Sequence, residues 1–183
     1  MCDFEQVLRR VLADERYQRN LDWGKPRKGH PEGTVRQHIR ELEENLESLR
    51  SKLSSEDAWK LKVLIHIHDT LKAESKHGVP IIHSRSHASI AREFLADYCD
   101  DKDLLNMVQL HDEPYALWRK YQNSGLDEQR LGCLLETISD WKLFLTFLIV
   151  DGCTEGKSRE PLLWFFGVIE GRVTSAVTVE WLL

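Results

Sequence analysis

Cysteine is scarce in this chain of 183 residues: there are four, at Cys2, Cys99, Cys133 and Cys153, and no two form a C-x-x-C pair. That scatter argues against a disulfide framework or a thiolate zinc site, and it suits a reducing, cytoplasmic setting. Long apolar runs are missing too. The longest, Leu143–Val150 and Pro161–Ile169, fall far short of the ~20 residues that span a bilayer, so no membrane partner is expected. The first ten residues carry acidic side chains and no apolar segment, which speaks against a signal peptide. Positive charge is not in excess either. The net charge is −5, which disfavours a protein that coats long nucleic acid, because phosphate contacts along a duplex need a basic face. It leaves room for an anionic substrate held locally. No period repeats and no low-complexity linker divides the chain, so one domain over residues 1–183 is expected.

What the chain does have is helical spacing. Phe4, Val7, Leu8, Val11 and Leu12 form one apolar stripe. A breaker-rich loop follows from Asn20 to Gly33, with Gly24, Pro26, Gly29 and Pro31 inside it. Thr34 is placed to cap a helix whose stripe is Val35, Ile39, Leu42, Leu46, Leu49 and Leu53. Ser55 and Asp57 open a third helix, from Ala58 to about Leu71. Gly78-Val79-Pro80 breaks the chain before a helix with Ile90, Phe94, Leu95 and Tyr98. Asp101 or Asp103 starts a shorter one that runs through Leu104 and Val108 and ends at His111, before Glu113-Pro114. The spacing then predicts helix from Asp127 to Val150, a turn at Asp151–Gly156 and a last helix into the C-terminus. In that last segment Val173, Thr174, Val177, Thr178 and Val179 are β-branched and could equally form a short strand. The expected class is all-α, a helical bundle with a metal site at its centre.

The chemistry concentrates in His66-Ile67-His68-Asp69-Thr70-Leu71-Lys72. His38 precedes it, His87 and His111 follow, and Asp151 closes the apolar run Phe144–Val150. Imidazole and carboxylate are the usual ligands of borderline-soft divalent metals, and side chains from several helices of a bundle can converge on one or two ions. Neighbours on a helix point about 100° apart, so His68 and Asp69 can flank one ion only at a helix end or a widened turn. His66 lies about 200° from His68 and is read as a structural, hydrogen-bonded histidine; His77, in a polar loop, is given no role. Asp140 competes with Asp151 for the last carboxylate, and Asp151 is preferred because a carboxylate ending an apolar run needs compensation. Asp112, beside His111, is taken as a bystander.

The basic residues fall in three groups: Lys25, Arg27 and Lys28; Lys72 and Lys76; and Lys157 and Arg159. Each is either a solvated loop or a local anion contact. Lys72, three residues after Asp69, either neutralises a phosphate oxygen or simply pairs with that carboxylate. His83, four residues before His87, is either a phosphate-contacting residue or a surface histidine.

The set His38, His68-Asp69 and Asp151 resembles the signature of the HD-domain superfamily of metal-dependent phosphohydrolases, and the added His87 and His111 resemble its branch that binds two metals. The match runs from His30 to about Lys157. The segment His30-Pro31-Glu32-Gly33-Thr34-Val35 with His38, together with His68-Asp69-x-x-Lys72, is similar to the HD modules of tRNA nucleotidyltransferases. It is more similar still to the HD phosphoesterase modules fused to bacterial polynucleotide kinases, which act on 2′,3′-cyclic, 2′- or 3′-phosphates at nucleic-acid ends. One departure is Leu71, where a small residue is usual.

The resemblance implies two divalent transition-metal ions (Mn, Ni, Co, Fe or Zn). His38, His68, Asp69 and Asp151 would hold the first; Asp69, His87 and His111 would hold the second, with Asp69 bridging. Hydrolysis would proceed by a metal-activated water attacking phosphorus in line, with His68, Asp69 and Lys72 as the catalytic set. His30 and Glu32 would sit at the pocket mouth, either one a proton shuttle to the leaving oxygen. Lys25, Arg27, Lys28, Lys72, His83 and Arg159 would contact phosphate. The expected partner is a phosphorylated nucleotide or an RNA or DNA end, with a kinase module fused or associated. The competing expectations are a nucleotidase acting on free nucleoside monophosphates, a nucleotide-binding HD module without catalysis, and a helical interaction protein.

Overall fold

The structure, a computed structural model, describes residues 2–27, 29 and 31–183. Among these it is all-α, with ten α-helices, three single 3-10 turns and no strand. The helices are α1 (Phe4–Leu12), α2 (Glu15–Asn20), α3 (Val35–Ser48), α4 (Ser55–Ile67), α5 (His87–Ala96), α6 (Lys102–Leu110), α7 (Glu113–Ser124), α8 (Glu128–Thr137), α9 (Trp141–Gly152) and α10 (Glu160–Ile169). Helix starts are written locally. Asp3, Asp14, Thr34, Ser54, Ser86, Asp101, Asp127 and Asp140 each accept an amide N–H of the helix they precede, satisfying donors that a helix leaves without intrahelical partners.

Two helices form the axis. In α4 the run from Val63 to Ile67 is buried on every side, and α9 is buried continuously from Leu143 to Val150. A helix apolar all round belongs in the interior. α1, α3, α5, α6 and α9 all pack against α4. α7 and α8 pack on each other and are joined to this centre through α10 and α6.

Several expectations are corrected. The helix expected from Asp127 to Val150 is two, because Ile138 is extended and Asp140 caps α9. α4 stops at Ile67 rather than Leu71: the Thr70 amide bonds the Ile67 carbonyl three residues back, and the chain turns into a 3-10 turn at Lys72–Glu74. Helices α2 and α7 were not anticipated, and the C-terminal segment after Ile169 is neither a continued helix nor a strand, only turns and a 3-10 turn at Val179–Trp181. The four cysteines are free thiols as expected, but folding brings Cys2 Sγ to 3.6 Å from Cys99 Sγ.

The loop before α3 is clamped at both ends. Gly24 and Thr34 pair in an isolated antiparallel bridge, and the α3 amides of Val35 and Arg36 donate to the carbonyls of Trp23 and Leu21. Gly24 has φ +117°, and a Cβ there would lie 2.3 Å from the Gly33 carbonyl oxygen. Only glycine lets the two backbones close, which holds the entrance of α3 and with it His38.

Candidate metal centre

Five helix ends meet at one place. His38 lies in the first turns of α3, His68 caps the C-terminus of α4 with Asp69 just beyond it, and His87 is the first residue of α5. His111 caps the C-terminus of α6, and Asp151 lies in the last turn of α9. The early end of α4 is what makes the His68-Asp69 pair usable, since it frees the two side chains from the 100° helical offset. Three of these ends, of α4, α6 and α9, are C-terminal and partially negative, and two, of α3 and α5, are N-terminal and partially positive, so the helix dipoles largely offset one another here.

Two groups of ligand atoms result. Those of His38, His68 and Asp69 lie within 4.8 Å of one another, as do those of Asp69, His87 and His111. Asp151 Oδ1 joins the first group, 3.0 Å from His38 Nε2 and 3.8 Å from His68 Nε2. In the second, His87 Nε2 and His111 Nε2 are 3.2 Å apart, and Asp69 Oδ1 is 3.7 and 3.5 Å from them. Two ligands on one ion with bonds of about 2.1 Å sit about 3.0 Å (octahedral) to 3.4 Å (tetrahedral) apart. The spacings match.

The ring nitrogens are oriented for the purpose. His68 Nδ1 donates to the carbonyls of Leu64 and Ile65, and His111 Nδ1 donates 2.8 Å to the carbonyl of Val108. A carbonyl only accepts, so the proton stays on Nδ1 and the Nε2 lone pair faces the cluster. His38 Nδ1 is likewise 3.2 Å from a Glu32 carboxylate oxygen. His68 Nε2 and Asp69 Oδ1 are buried with no hydrogen-bond donor reaching them. Such atoms cost about 1–3 kcal/mol each unless something else satisfies them. A divalent cation does so, and the donor set fits one.

Electrostatics separates the members. Burial pushes the His68 imidazole down to about 3 against the pull of Asp69 and Asp151, so it is neutral. His38 moves the other way: burial opposes its charge, but the hydrogen bonds to Asp151 and Glu32 outweigh it and raise it to about 9. His111 is also raised, with burial outweighed by Asp112 and Asp69. Burial would raise the carboxyls of Asp69 and Asp151, yet Lys72 beside the first and Lys157 beside the second hold both well below the usual carboxylate range. Lys72 Nζ donates to Asp69 Oδ2, and Lys157 Nζ donates 2.7 Å to Asp151 Oδ1.

The sequence-predicted residues divide as follows. His38, His68, Asp69, His87, His111 and Asp151 come together. Lys72 lines both a small void of about 20 Å³ against His38 and Asp69 and an open cleft of about 860 Å³ that starts at His87. The first volume has room for a water or an ion; the second is the size of a small-molecule site. Lys25 and Arg27 also line the cleft; Lys28 and His30 lie outside the described residues. Glu32 lines the same small void as Lys72, with its side chain 2% exposed and turned onto His38. Arg159 does not face phosphate, because its guanidinium donates to the carbonyls of Gly152 and Cys153 at the end of α9, groups a helix terminus leaves without partners. His83 is not on α5, which begins only after Ser86; it is exposed and accepts the Arg85 amide. His66 is structural as read, bonded to Tyr17 Oη at 2.5 Å and to Glu43 at 3.3 Å.

Residues the sequence reading missed are Trp23 and His77, which line the cleft, Lys157 on Asp151, and Asp112, whose Oδ2 is 3.1 Å from His87 Nε2. Lys157 and Asp112 lie at turns, where helical periodicity carries no signal. Comparison with protein-family profiles, with curated proteins and with solved structures finds no match.

Proposed function

We propose that this chain is a metal-dependent phosphohydrolase of the HD type that removes phosphate from nucleic-acid ends or nucleotides, with His38, His68, Asp69 and Asp151 holding one ion and Asp69, His87 and His111 a second. The observation that carries the reading is the pair of His/Asp groups sharing Asp69, one member of which, His87, lines a cleft together with Lys25, Arg27 and Lys72. Bound ions of this kind supply Lewis-acid activation of water and neutralise charge on phosphoryl oxygens.

The chain's own residues do the rest. His68 stays neutral and keeps its Nε2 lone pair available, since its Nδ1 proton is held by two carbonyls. Asp69 remains ionised because Lys72 sits against it. Lys72 borders both the ligand groups and the cleft, so its ammonium can meet a phosphate oxygen entering from solvent. Lys25 and Arg27 then draw the anion inward.

The test is metal content together with phosphate release after reconstitution with manganese, nickel, cobalt or zinc. Substrates are an oligonucleotide 3′-phosphate, a 2′,3′-cyclic phosphate and nucleoside monophosphates. About two ions per chain with turnover of oligonucleotide ends supports the proposal. Turnover of monophosphates alone reassigns the substrate to free nucleotides, bound metal without turnover makes the chain a binding module, and no bound metal refutes the site.

A further inference from the structure

The two proposed ion sets are unequal. The first has two imidazoles and two carboxylates, His38, His68, Asp69 and Asp151, while the second has two imidazoles and only the shared Asp69. The structure holds a residue that would make them alike. Asp112 Oδ2 lies 3.1 Å from His87 Nε2 and 3.7 Å from His111 Nε2, within the range of spacings among His87, His111 and Asp69 themselves, 3.2 to 3.7 Å, or just below it. Asp69 Oδ1, on a side chain only 10% exposed, lies 3.7 and 3.5 Å from the same two nitrogens.

Asp112 also forgoes the role its position offers. It is the residue before α7, where aspartate ordinarily caps. Asp3, Asp14, Asp101, Asp127 and Asp140 all accept amide N–H groups of their own helices. Asp112 makes no such bond; its backbone is already in the helical region, at φ −87° and ψ −4°, and its carboxylate is turned to the histidines. A cap is worth about 1 kcal/mol, and here that stabilisation is given up in favour of the His87–His111 pair. Pro114 in the first turn of α7 offsets part of the loss by removing one amide that would need a partner.

We infer that Asp112 is a ligand of the second ion, completing a His2Asp2 set that mirrors the first across the shared Asp69. This rests on the two-ion reading above. The added carboxylate biases the second position toward harder ions such as manganese or iron. It also lowers the net charge of the two-ion centre from about +2 to about +1, which still suits an anionic substrate.

The experiment compares wild type, Asp112→Ala and Asp112→Asn, each stripped with chelator and titrated with Mn²⁺, reading ions per chain and the affinity of each step. Expected are two ions in wild type and, in Asp112→Ala, one tightly held ion with the second weakened at least about tenfold. Asp112→Asn, which keeps the shape and one oxygen, falls between them and stands in should the alanine variant not fold. Two ions bound at wild-type affinity in the variants overturns the role of Asp112 and leaves the two-ion reading standing. Loss of both steps also overturns it, since the first set does not include Asp112. A wild type that takes fewer than two ions refutes the two-ion reading itself, and the inference falls with it.

Discussion

Loading the centre with metal should raise the melting temperature by several degrees, and the size follows from the cluster. His68 Nε2 and Asp69 Oδ1 are buried without donors, each a penalty of about 1–3 kcal/mol that an ion removes. The unfolded chain cannot reproduce a site assembled from α3, α4, α5, α6 and α9, so binding free energy becomes folding free energy. At a free ion concentration of about one hundred times Kd, one site contributes about 2.7 kcal/mol. A domain of this size gains about 2–4 °C per kcal/mol, so one occupied site should lift Tm by about 5–11 °C. The assay is thermal unfolding followed by circular dichroism, with chelator-stripped protein against protein titrated with manganese, nickel, cobalt or zinc. Asp69→Asn is the control, because it removes the charge common to both groups while leaving an oxygen for Lys72; its shift should fall below about 2 °C. A wild type that melts at the same temperature with and without every metal would refute the reasoning, as would an Asp69→Asn shift equal to that of wild type.

Three further outcomes follow from other parts of the structure. His38 is raised to about 9 by Asp151 and Glu32 after burial is overcome. In stripped protein its contribution to stability is therefore fully present below the unfolded value of about 6.5 and is lost as pH rises through 9. An incoming ion must displace the same proton, so apparent metal affinity should climb about tenfold per pH unit over that window; competition with a metal indicator measures this, and a flat profile excludes it. Lys72→Ala should keep its metal while phosphate release falls about 10²-fold, the scale for loss of one charge-stabilising donor; wild-type turnover would remove Lys72 from substrate contact. Tyr17→Phe withdraws the hydroxyl from His66 Nδ1 inside the core and should cost about 1–3 kcal/mol in urea unfolding, with ion content unchanged; loss of metal would mean His66 serves the site after all.

Much of the molecule is legible residue by residue. The apolar stripes and the residues Thr34, Asp101 and Asp127 mark real helix starts, because a cap and a 3.6-residue period act over a single turn of chain. The six residues His38, His68, Asp69, His87, His111 and Asp151 were readable as candidate ligands because chemistry restricts which side chains hold a divalent cation, and a carboxylate such as Asp151 at the end of an apolar run needs a partner. The end of α4 was less legible: the chain leaves the helix after Ile67, four residues before its apolar pattern ends.

The sequence by itself thus determined the all-helical class, most helix starts and the kinds of atom available for a metal. The tertiary structure alone decided which charged side chains face those atoms. It turned Glu32 inward onto His38, drew Arg159 onto the carbonyls at the end of α9, set Lys157 against Asp151 and aimed Asp112 at His87. The physical reason is range. Caps and periodicity are settled by neighbours a few residues away, whereas each of these pairings depends on how two separately formed helix ends or loops meet, and no local pattern records that direction.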